Sequence, residues 1–119
     1  LTLEFEAPLR LKTQTNQSAN WRVRAREVKK LRHAIGLLWM SVRFPGGKVP
    51  SRELRPPFVV SLTRIGPRRI DDDNLASSFK AVRDQIAAQL AIDDGSFLIT
   101  WIYAQEKGAH GIRVRVDGY

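Results

Sequence analysis

Three consecutive aspartates, Asp71, Asp72 and Asp73, stand between an apolar β-type run and a segment of helical periodicity. Adjacent like charges repel, so such a run is costly unless something positive offsets it. Helix N-termini favour acidic side chains, and Asp73, or Asn74 beside it, is placed to act as an N-cap. Capping accounts for one of the three aspartates, or two, and the third points to a cation. In an extended segment side chains alternate, which puts Asp71 and Asp73 on one side and Asp72 on the other. A second acidic pair, Asp93-Asp94, follows the far end of the same helix, where carboxylates oppose the macrodipole. With Gly95 after it, this pair also reads as a plain surface turn. If the next strand pairs beside the one leading to Ile70, the chain returns Asp94 to Asp71 and Asp73. The chain has no cysteine, and His33 and His110 are isolated, so the available ligands are oxygens. Oxygen-only ligands suit Mg²⁺ or Mn²⁺ rather than zinc. A cation of that kind activates water and stabilises charge on a phosphoryl oxygen.

Charge says what such a site would meet. The chain carries a formal net charge of +8, with a pI near 10.6, which points to a polyanionic partner. Residues 1–69 have a balance of +11 and residues 70–119 one of −3. A basic half that attracts phosphate beside an acidic half that can hold metal is the pattern of a phosphoryl-transfer enzyme. A generic basic protein, ribosomal or bound to a membrane surface, is the plainer alternative.

The elements that position these residues follow from periodicity. A length of 119 residues with 43% hydrophobic content fits one small globular domain, residues 1–119, which assembly into an oligomer would help to stabilise. Thr2 to Glu6 alternates apolar and charged residues and the pattern resumes at Leu9–Lys12, a strand interrupted at Pro8. Thr13–Ala19 reads as a polar loop, with Ser18 or Asn20 capping a helix. In that helix Trp21, Ala25, Val28, Leu31, Ile35, Leu38 and Val42 form one apolar stripe. Arg22, Arg26, Lys29 and His33 recur on another face. Trp21 and Trp39 read as core residues, with stacking on exposed bases as the alternative. The helix ends before Pro45-Gly46-Gly47, and residues 44–57 form a Pro/Gly-rich loop. Phe58–Ile65 reads as a buried strand. A second helix follows, with Leu75, Phe79, Val82, Ile86 and Leu90 as its core stripe. Phe97–Ala104 and Gly111–Val116 read as two further strands joined through Lys107-Gly108-Ala109. The order is β-α-β-α-β-β: an α/β domain with a mixed sheet and two main helices.

At this point the residues resemble a known family. Arg68-Arg69-Ile70-Asp71-Asp72-Asp73-Asn74-Leu75, then Lys80 and Asp84, then Asp93-Asp94, is similar to the RusA family of Holliday junction resolvases. That family has an Asp-x-Asp-Asn-Leu motif opening a helix, a lysine and an aspartate further along it, and an Asp-Asp pair before the next strand. The match is specific over residues 61–104 and loose before them. It implies a RusA-like α/β homodimer that needs Mg²⁺ and nicks four-way DNA junctions. It also places the metal ligands on Asp71, Asp73 and Asp94 and the catalytic lysine on Lys80. The implied mechanism has the metal activate a water for attack on a phosphodiester, with Lys80 offsetting charge or positioning the nucleophile. The chain departs from the pattern at one point. Better-known members carry the lysine four residues after the second motif aspartate, where Ser77 stands here, while Lys80 comes seven after. Three residues are close to one helical turn, so both spacings serve nearly the same face. Lys80 also reads as an ordinary solvated helix lysine.

Arg22, Arg26 and Lys29, with Arg68 and Arg69 beside the acidic motif, are then expected to contact DNA phosphates. Two alternatives stay open: a non-catalytic DNA-binding protein of the same fold, and a nuclease for flaps or single strands. No secretory signal is visible, and the longest apolar stretch, around Ala34–Met40, is too short to span a bilayer. The expected setting is cytoplasmic and bacterial, and the resemblance adds a phage or prophage source.

Overall fold

The computed structural model of the chain describes residues 1–11 and 21–119. The expected loop at Thr13–Ala19 and the caps at Ser18 and Asn20 lie outside them. Strand β1 (Thr2–Ala7) buries Phe5 and Ala7 and exposes Thr2, Glu4 and Glu6, as its alternation dictates. It stops before Pro8, which has no N–H to give a ladder. The expected resumption of the strand fails. Leu9 and Leu11 still pack, Leu11 fully buried, but outside any strand.

Helix α1 (Trp21–Arg43) departs from its predicted stripe in its first half. Its second half holds the stripe, with Ile35 buried and Leu31, Leu38 and Val42 packed against the core beside buried Trp39, while residues 21–30 are exposed throughout and Trp21 is 69% exposed. Trp39 is the core residue expected, and Trp21 is not. The helical period is real, but Val28 faces Leu9, Leu11 and Ala81 across an open cavity of about 410 Å³ instead of packing against them. Arg43 closes the last turn, where a cation suits the macrodipole. Gly46 and Gly47 then take positive φ in a single 3₁₀ turn.

Strand β2 (Phe58–Gly66) is followed by α2 (Asp72–Ser78) and α3 (Lys80–Gln89). One helix was expected here. The core stripe holds, with Leu75, Phe79, Val82 and Ile86 all buried, but the backbone breaks at Phe79. The cause is local. Ser77 Oγ donates to the Asn74 carbonyl at 3.2 Å and Ser78 Oγ to the Leu75 carbonyl at 2.7 Å, and such back-bonding bends helices. Strands β3 (Ile99–Lys107) and β4 (Gly111–Asp117) complete the fold. Phe97, expected in β3, precedes it and is 92% exposed.

The sheet order is β1-β4-β2-β3, with β2 and β3 parallel and the other pairs antiparallel. The mixed sheet is therefore as predicted. The three helices cover one face, where Phe58, Val60, Leu62, Ile112, Val114 and Val116 meet Ile35, Trp39, Phe79 and Ile86. Among the described residues no helix is long and apolar enough to cross a membrane. Phe79 has no exposed surface and sits at the helix break. Phe79→Ala should therefore cost about 3–5 kcal/mol, a large share of a small domain's stability of about 5–15 kcal/mol. Urea unfolding checks this, and a loss below about 1 kcal/mol would show that Phe79 is not a keystone.

Candidate acidic site at the strand-to-helix junction

The chain leaves β2 at Gly66 and reaches α2 through Pro67–Ile70. That connection is held by a side chain. Gln105, on β3, accepts from the Ile70 amide at 2.9 Å and donates to the Ile70 carbonyl at 2.8 Å. The two bonds imitate one more step of strand pairing beyond the β2–β3 ladder, and they fix the residue directly before Asp71. Asp71 then takes the N-cap position with extended backbone (φ −64°, ψ 149°), and its carbonyl accepts the first helical bond from Leu75 N at 2.8 Å.

This corrects the expected caps. Asp73 and Asn74 lie inside α2, and Asp71 occupies the N-cap without using its side chain for capping. Asp72 and Asp73 fall in the first turn, where the positive end of the macrodipole favours them. The strand-like alternation of Asp71 and Asp73 against Asp72 is lost, because Asp72 and Asp73 are already helical. All three aspartates are exposed.

Asp94 has a different environment. Its carboxylate Oδ2 lies 3.3 Å from Arg83 Nε. Its carbonyl accepts from Arg83 at 3.1 Å and from the Trp101 indole at 2.9 Å. Arg83 also donates to the Tyr103 hydroxyl at 3.0 Å and lies 4.9 Å from the Trp101 ring centroid. Asp93 closes the turn, accepting from Gly95 N at 3.1 Å, as the surface-turn alternative requires. Among the described residues no group of three acidic or histidine side chains is placed to share a metal ion. The expected trio of Asp71, Asp73 and Asp94 is thus not drawn together in this conformation, and Arg83 is the cation that meets Asp94.

Lys80 opens α3, pairs with Asp84 at 3.3 Å and has a side chain 69% exposed. Arg68 and Arg69 are exposed in the connection leading to Asp71, and neither forms an ion pair among the described residues. Arg22, which lies over the Trp21 ring at 5.4 Å, and Arg26 and Lys29 are all in the exposed half of α1. Arg32 bonds Gln85 at 3.0 Å and Gln89 reaches Met40 at 3.9 Å, so α1 and α3 run in the same direction. Arg24, Glu27, Val28 and Lys30 line a cavity together with Ser78 and Ala81, so residues 21–30 run alongside the break between α2 and α3.

Two residues with clear positioning roles, Gln105 and Arg83, are not singled out by the sequence. Gln105 gives no signal there, since one amide in an alternating strand looks like any other. Arg83 gives a faint one: it and Lys80 are the only cations between the two acidic clusters. Gln105→Leu removes both bonds to Ile70 at nearly constant volume. Losing a hydrogen bond worth about 1 kcal/mol should speed amide exchange at Ile70 by about fivefold, with global stability little changed. Unaltered exchange at Ile70 would show that the junction is held by other means. Compared with known proteins, the chain matches no family model, and no curated protein is significantly similar to it.

Proposed function

We propose that this chain is a divalent-metal-dependent endodeoxyribonuclease of the RusA kind, which nicks branched DNA, four-way junctions above all, as a homodimer. One observation carries the reading. The Asp71 carboxylate stands at a strand-to-helix junction held by Gln105, exposed and unspent on capping, with Asp73 in the first turn of α2 and Arg68 and Arg69 just before it. The donor chemistry fits Mg²⁺, which is commonly held by one or two carboxylates, several waters and substrate phosphate rather than by an all-protein cage. Asp71 and Asp73 would hold it, with Asp94 joining if it exchanges Arg83 for the cation. When bound there, the cation supplies stabilisation of phosphoryl charge and lowers the pKa of water.

The chain's own residues do the rest. Gln105 keeps Asp71 in register with the sheet. Arg68 and Arg69, with Arg22, Arg26 and Lys29 on α1, bind and orient the backbone. These contacts read charge and shape rather than bases. Two copies related by a twofold axis would present two acidic junctions, suited to paired nicks.

The pairing of Asp94 with Arg83 favours a second reading, a DNA-binding protein of the same fold without turnover. End-labelled four-way junction, flap, single strand and linear duplex, each incubated with the protein and Mg²⁺, separate the possibilities. Symmetric nicks in the four-way junction are the expected result. Preferential cutting of flaps or single strands would move the assignment to another nuclease specificity, and binding without cutting of any substrate would support the second reading.

A further inference from the structure

A cavity of about 230 Å³ opens where the parallel strands β2 and β3 end, lined by Gly66, Pro67, Arg68, Arg69, Gln105, Glu106 and Lys107. The carboxyl ends of parallel strands are where α/β sheets habitually take ligands. We propose that this cavity binds a single phosphate group of a nucleic-acid strand and seats it beside Asp71. The source of the phosphate rests on the nuclease reading above, whereas the anion chemistry of the cavity does not.

Charge is the first support. The lining holds three cations, Arg68, Arg69 and Lys107, and none of them has an ion-pair partner among the described residues. Its one carboxylate, Glu106, is already committed to Arg113 at 3.0 Å. The cavity is thus positive and has no internal counter-ion. An oxyanion would relieve that excess.

Construction is the second. The walls are tied rather than loose. Arg64 folds its guanidinium against Gly66, where an added Cβ would come within 2.9 Å of it, and donates to the Arg68 carbonyl at 2.8 Å. Gly108 N donates to the Gly66 carbonyl at 3.0 Å, joining the two strand ends. Gln105 ties the back of the cavity to Ile70, and Asp71 is the next residue. A cluster of surface cations with long free side chains would be only a diffuse positive patch. Here the backbone that carries Arg68 and Arg69 is fixed on both sides of a concavity. Arg69 lines the cavity and Ile70, held by Gln105, is all that separates it from Asp71 in the chain, so a phosphate bound there sits next to the acidic motif. Lys107 is the new member of this set. It is assigned a phosphate contact that its place at the end of a strand does not suggest.

The test is amide chemical-shift mapping of the full chain with three probes: inorganic phosphate, a four-nucleotide thymidine strand, and the same strand with uncharged methylphosphonate links. The expected result is saturable shifts confined to residues 66–70 and 105–108 with phosphate and with the charged strand, and none with the uncharged one. Arg69→Ala with Lys107→Ala should weaken the response at least fivefold, and Arg69→Lys with Lys107→Arg should restore it. These side chains are exposed, so both variants are expected to fold, and the unperturbed remainder of each spectrum verifies it. Non-saturating shifts spread over all basic residues would overturn the proposal. A response to inorganic phosphate with none to the charged strand would overturn the nucleic-acid source. Because no cleavage is read, a saturable cavity in a protein that cuts nothing would sink the nuclease reading alone. Junction cutting by a protein whose cavity stays silent would sink the cavity alone.

Discussion

Asp71→Asn is expected to lower junction cleavage by at least about 10²–10³-fold, the scale seen when one preorganised electrostatic contact to the reacting group is lost, and to leave junction binding intact or tighter. The direction follows from the geometry. Asp71 makes no side-chain capping bond that asparagine would lose, and its backbone role as N-cap is one asparagine fills equally well. The fold therefore has no reason to change, while a carboxylate able to hold a hard cation is gone. Binding gains because a negative charge is removed from beside incoming phosphate, next to Arg68 and Arg69. Cleavage and gel-shift measurements on the same junction separate the two effects. A variant that cuts at the wild-type rate would remove Asp71 from the site.

Lys80→Ala is expected to lower single-turnover cleavage by about 10²-fold or more with little loss of junction affinity. Lys80 and Asp84 form an i,i+4 surface pair with the lysine side chain 69% exposed, and such exposed pairs contribute only about 0.3–0.5 kcal/mol. That is too little to keep the ammonium from a phosphate whose negative charge is growing. The break at Phe79 places Lys80 at the opening of α3 rather than in the interior of a longer helix. Ser77→Lys should not rescue the variant, since Ser77 is half-buried and its hydroxyl takes part in the helix break. Single-turnover rates at saturating protein and Mg²⁺ exclude binding from the comparison. A change below about twofold would make Lys80 an ordinary solvated lysine and leave the aspartates untouched.

Much of the scaffold is legible in the sequence because strict periodicity reports one-sided burial. The alternation of Thr2–Glu6 and the stripe Leu75, Phe79, Val82 and Ile86 each name the face that packs, and Phe5 and that stripe are buried as read, whereas the apolar run of β2, read as buried, leaves Val59 exposed. Where periodicity misleads, it does so for a physical reason. The stripe of α1 continues through Trp21, Ala25 and Val28, but a stripe does not say how closely its partners approach, and these residues are exposed, Val28 beside an open cavity. The kink at Phe79 was hidden because hydroxyl back-bonding leaves the apolar spacing undisturbed. The acidic clusters are plain in the sequence as charges, yet their partners are not. Arg83 meets Asp94 only because α3 and the turn before β3 are folded together, and Gln105 meets Ile70 only through the parallel register of β2 and β3. Side chains that act across elements leave no spacing to read.

Incubation of an end-labelled four-way junction with the protein, with Mg²⁺ and again with the metal chelated, tests the central claim most directly. Paired nicks at symmetric positions that appear only with the metal are the predicted result. A junction that is bound in both conditions and cut in neither, or cut equally well in both, would contradict a metal-dependent nuclease built on Asp71.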